Sequence, residues 1–121
     1  MFLNWIYVEK EQVKLILDQL LDWYIRNPDK WTDAALAEDK FGNEVEAVNC
    51  NAVKFGLIGI IDKLTYSQFD KQQAEYVACA TRDFLNIFSS KERLFKVLHT
   101  YEQELEIIKK ALVRIDNYKE I

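Results

Sequence analysis

Four kinds of side chain in this sequence could carry chemistry: one histidine, two cysteines, a run of acids in the first half and an excess of aromatic rings. His99 has no second histidine four residues away, and Cys50 and Cys79 do not form a CxxC pair, so no zinc or iron site is expected. At the C-terminal end of a short expected helix, His99 reads as a partner for the last carbonyls or as an exposed side chain. Cys79, inside Tyr76-Val77-Ala78-Cys79-Ala80, reads as a small buried thiol. Cys50 reads as a thiol at a helix start, with no base or cation identified beside it to activate it. Two cysteines close at most one bridge, which is no disulfide framework. Three glycines cannot build a nucleophile elbow, a Walker loop or a dinucleotide fingerprint, so no catalytic constellation and no cofactor are expected.

The acids Asp29, Asp33, Glu38, Asp39, Glu44 and Glu46 make the densest acidic segment outside the last helix. They could hold a divalent cation or meet a basic partner; a solvated loop is the plainer reading, because carboxylates stay exposed unless paired. Trp5, Tyr7, Trp23, Tyr24 and Trp31 crowd the first quarter, where an exposed subset would suit a protein interface and core packing is the plainer reading ring by ring. The candidate interaction residues are therefore Trp5, Tyr7, Trp31, Asp33, Glu38, Asp39, Glu44 and Glu46. With 20 acids against 16 bases and only scattered cations such as Lys109, Lys110 and Arg114, the chain lacks the basic groove that direct nucleic-acid binding needs.

The elements that must position these groups are mostly helical. The chain has 121 residues, half of them hydrophobic, enough for one domain over 1–121 with a substantial core. Val13, Ile16, Leu17, Leu20 and Tyr24 recur at helical spacing between Glu11 and Asn27, and Pro28 ends that helix. Gly42 marks a turn, with Ala35-Leu36-Ala37 and Val45 to Val48 pairing as a small hairpin; the alternative is one helical turn capped by Thr32 or Asp33. Asn51 is read as the N-cap of a second, buried helix reaching Leu64. Its Gly56 and Gly59 cost about 1 kcal/mol each relative to alanine, which makes sense if another backbone or a bulky ring comes close. A third helix runs from Ser67 or Asp70 to Phe88. Ser89 with Glu92 and Thr100 with Gln103 have capping-box spacing for a short helix and a last one, the latter with a Glu106–Lys110 pair. The expected fold is mainly α, a compact bundle of four to five helices with a small hairpin or ordered loop at about 30–48.

Trp31, Ala34, Ala37, Asp39, Gly42 and Val45, followed by Ala52, Leu57, Gly59 and Ile60, resemble the pattern of a small uncharacterised protein family of bacteria and bacteriophages. The resemblance covers roughly residues 13–64. It implies a fold and a phage or bacterial setting, and brings no activity with it.

These readings lead to a small soluble interaction protein, a phage or mobile-element accessory factor that presents a preformed surface to a host or viral protein. Two alternatives stay open: an inhibitor that mimics nucleic acid with an acidic face, and an enzyme with an unrecognised acid/base pair in a helical cleft. The apolar opening lacks a basic leader region and a small-residue cleavage site, and no apolar run is long enough to span a bilayer, so the cytoplasm is the expected compartment. The Phe2 to Val8 strip could also seat a second copy of the chain.

Overall fold

The computed structural model of the protein describes residues 8–34, 36–89 and 99–117. The elements run α1 (Lys10–Arg26), a 3-10 turn (Pro28–Lys30), β1 (Ala37–Glu38), β2 (Glu44–Val45), β3 (Lys54–Phe55), α2 (Leu57–Tyr66), α3 (Lys71–Ile87) and α4 (Tyr101–Ile115). The protein is thus mainly helical, with a small antiparallel sheet of order β2-β1-β3. The short helix expected over 91–98 and the strip before Val8 lie outside the described residues.

Each helix end follows from local chemistry. Gln12 Oε1 accepts the Glu9 N–H at 3.0 Å and opens α1, one residue ahead of the expected start. Asn27 Nδ2 donates to the Trp23 carbonyl at 3.2 Å before Pro28 stops the helix. Asp70 accepts the Gln73 N–H at 2.9 Å and starts α3. Thr100 and Gln103 exchange both bonds of the expected capping box, at 2.8 and 3.2 Å. The expected Glu106–Lys110 ion pair is not formed, and both side chains are exposed. α1 packs chiefly on α4 and α2 on α3, burying Val13, Ile16, Leu20, Ile61, Phe84 and Ile108.

The hairpin is formed as the turn signal implied, and the single helical turn is not. Asp39 Oδ1 accepts the N–H groups of Phe41 and Asn43, both at 2.9 Å, and Gly42 takes φ +82°. Ala37 then faces Val45, and Glu38 faces Glu44. The second helix needs correction, since it starts at Leu57 and not after Asn51. Residues 51–56 instead lead into β3, which supplies the second partner that the central strand β1 requires: Ala37 faces Phe55 and Glu38 faces Lys54. The Val53 N–H donates to Glu38 O at 2.8 Å and the Gly56 N–H to Leu36 O at 2.9 Å. Asn49 Oδ1 accepts the Asn51 N–H at 2.8 Å, so this asparagine pair builds a turn, not a helix cap, and Cys50 sits exposed within it.

Gly59 meets the close backbone its position implied. A Cβ placed there would overlap the Leu36 carbonyl oxygen and stand 2.6 Å from the Leu36 carbonyl carbon. Both are backbone atoms that cannot rotate away. Gly59→Ala should therefore lower stability by about 3 kcal/mol or more, overriding alanine's better helix propensity. Gly42→Ala, strained only by its positive φ, should lose about 1–2 kcal/mol. Urea midpoints of the two variants check this ordering.

Candidate functional site

The strongest chemical grouping among the described residues forms around Glu104, on α4. Glu104 lies on the same stripe as Ile108, Ala111 and Ile115 and is only 9% exposed. Its Oε1 accepts the Tyr24 hydroxyl at 2.6 Å and the Trp31 indole N–H at 2.9 Å. Tyr24 comes from α1, and Trp31 from the segment after the 3-10 turn, which Thr32 anchors by donating its N–H to Phe55 O at 3.1 Å. Tyr101 stacks on Tyr24 with ring centroids 5.4 Å apart and meets the edge of Trp31 at 5.9 Å. Three separate stretches of chain therefore converge on one carboxylate oxygen.

Burial sets the electrostatics here. It pushes the Glu104 carboxyl above the usual range; the Tyr24 and Trp31 hydrogen bonds and the nearby His99 oppose that rise, and Asp33 adds to it. Burial and the adjacent Glu104 push the Tyr24 phenol well up, so it stays protonated and donates. His99 is half-buried just before α4 and near enough to act on Glu104; the helix end expected before it lies outside the described residues. Tyr101 makes a further bond of the same kind, its hydroxyl donating to the Tyr24 carbonyl. That carbonyl would normally accept the N–H of residue 28, but residue 28 is proline and has none. The grouping can therefore fasten α1, α4 and the Trp31 segment, with a carboxylate as the shared acceptor.

Of the expected interaction residues, Trp31 belongs to this cluster, and Asp33 is exposed and acts on Glu104 only through its charge. Glu38, Asp39, Glu44 and Glu46 belong to the sheet, and Trp5 and Tyr7 lie outside the described residues. Asp39 is engaged in its turn, whose N–H donors hold its carboxyl below the usual range. Glu38 is half-buried on β1 between Glu44 and Lys54. Glu44 and Glu46 are exposed, and neither forms an ion pair among the described residues. Also exposed on this part of the chain are apolar side chains that the sequence reading did not single out for an interface: Phe41 at 76% exposure, Val48 at 62% and Val53 at 45%. Glu104 was also missed; its signal was an acid inside an apolar helical stripe. Cys79 is half-buried and accepts an N–H from Arg82 Nη2 at 3.2 Å.

Described residues line at least two surface grooves. One, of about 380 Å³, lies between α1 and Leu64 and includes Asp18, Asp22 and Trp23. The other, of about 350 Å³, lies between Leu36, the 46–48 turn, α2 and Lys71. Neither is lined by Glu104 or His99. No group of three or more potential metal ligands occurs among the described residues, and none of their helices is long and apolar enough to cross a membrane. No protein-family model matches the chain, and neither does any curated protein or solved structure.

Glu104→Leu should cost about 2 kcal/mol or more, because the Tyr24 hydroxyl and Trp31 N–H lose their acceptor, whereas Glu104→Gln keeps one. The raised carboxyl also gives a pH signature. The folded chain holds this proton to higher pH than the unfolded chain, so the contribution of Glu104 to stability falls as pH rises from the ordinary value of 4.5 through the raised folded value. Urea melts across pH 4–8 should show that component in the wild type and not in Glu104→Gln.

Proposed function

We propose that the protein is a binding module that presents its small sheet and flanking turns to a basic surface on a partner protein. The observation that carries this reading is the coincidence of charge and exposed apolar side chains in one stretch of the chain. Residues 29–46 hold six acids and two bases, which accounts for the whole formal charge of −4. On and just after that segment in the chain, Phe41, Val48 and Val53 are exposed, as are Glu44 and Glu46. Exposed apolar groups inside a charged rim are the usual make-up of an interface, with the charges steering encounter and the apolar groups holding contact.

The fold supports such a role by keeping the segment preformed. β1 is paired on both sides, Asp39 closes the hairpin, and Gly59 lets α2 lie directly against Leu36. A surface already in its bound shape loses less entropy on association. Work in the cytoplasm as a phage or mobile-element accessory factor is the setting we propose, and the Trp31 to Ile60 resemblance is its support.

Affinity capture with the immobilised chain from a lysate of the source cells tests this reading. A basic partner should be retained at low salt and released as ionic strength rises. Retention should fall at least about tenfold for Glu44→Lys and for Phe41→Ser, both exposed positions whose change leaves the core intact. Unchanged retention by both variants would refute the assignment of this surface.

A further inference from the structure

The groove between the sheet and α2 has a composition that the exposed hairpin does not explain. Its walls are Leu36, Ala47, Val48 and Tyr66, and its charged groups are Glu46, Asp62 and Lys71. Asp62 is half-buried, yet its carboxylate forms no hydrogen bond or ion pair among the described residues. Arg82 of α3 is near enough to act on it, but the guanidinium donates to Cys79 Sγ at 3.2 Å. Burial outweighs that influence and holds the Asp62 carboxyl above the usual range. Tyr66 stands one helical turn after Asp62, partly exposed, where Glu75 and Asp62 both act on its hydroxyl. Among the groove's own lining residues, the acids Glu46 and Asp62 face the single base Lys71.

A half-buried carboxylate without a partner is costly unless something else completes it. A cation fits, and the details favour arginine over lysine. Arginine is the more weakly hydrated cation, its planar fork can take both carboxylate oxygens, and its face stacks on an aromatic ring such as Tyr66. At about 350 Å³ the groove sits at the small end of ligand sites, which run from about 300 to 1,000 Å³. That space suits one long side chain with an apolar neighbour. We propose that this groove seats an arginine of the partner protein, its guanidinium against Asp62 and Tyr66 and an adjacent apolar residue against Leu36, Ala47 and Val48. The inference rests on the reading of the chain as a binding module and names the chemistry that the partner must offer.

The test is a two-dimensional ¹⁵N NMR titration of the full chain with three capped tripeptides: Leu-Arg-Leu, Leu-Lys-Leu and Leu-norleucine-Leu. The arginine peptide should move the amide signals of Val48, Asp62 and Tyr66 saturably. The lysine peptide should bind several-fold more weakly, and the norleucine peptide should leave these signals in place. Asp62→Asn should weaken the arginine peptide about tenfold while keeping the wild-type spectrum elsewhere, which shows that the fold is retained. No saturable shift, shifts mapping to another face, equal binding of the lysine or norleucine peptide, or undiminished binding by Asp62→Asn would each overturn the proposal. Phe41 and Glu44 do not line this groove, so capture by the hairpin variants reports on the sheet surface independently of this outcome.

Discussion

The architecture depends on one steric fact: a helix and a strand-entry segment share space that no side chain could occupy. Leu36 lies against the α2 backbone at Gly59, and its carbonyl also accepts the Gly56 N–H at 2.9 Å. One residue's backbone thus both packs on the helix and receives a bond from that helix's N-cap. With Leu36 held, β1 has a defined height over α2, and β2 and β3 take their places on either side. The hairpin and the groove beneath it both inherit their position from this contact.

A second fastening works from the other end of the same segment. Glu104 collects Tyr24 and Trp31, so the chain between α1 and β1 is tied before it reaches the sheet. Taking a carboxylate out of water is unfavourable, and the two donors offset only part of that cost, since the carboxyl remains above its usual range. A fully apolar contact would avoid the penalty but would not dictate which oxygen, hydroxyl and indole must meet. The buried Thr65 and Thr81 instead find partners within their own helices, donating to the carbonyls four residues before them at 2.9 and 2.7 Å.

Helix content was legible in the sequence because its signals are periodic and local. The stripe from Val13 to Tyr24, the Thr100–Gln103 box and the Asn27-Pro28 stop all act within a few residues. The hairpin was legible for the same reason, through Gly42 and its neighbours. β3 was not: Lys54 and Phe55 become a strand only because β1, some seventeen residues earlier, offers an open edge. Gly59 carried a message about close approach without naming the partner, which proves to be backbone, whereas Gly56 stands at the N-cap and not inside the helix. Of the chemistry, the acidic segment was visible as composition, and Glu104 was visible in principle as a polar interruption of an apolar stripe. The groove around Asp62 was out of reach, because Leu36, Val48, Tyr66 and Lys71 meet only in the folded chain.

The bond from the Tyr101 hydroxyl to the Tyr24 carbonyl has a consequence for how α1 is completed. Proline at position 28 removes the donor that would complete the last turn of α1, and the substitute arrives 77 residues downstream. Before α4 docks, that carbonyl has only water to bond, so the last turn of α1 is completed by the tertiary contact between α1 and α4.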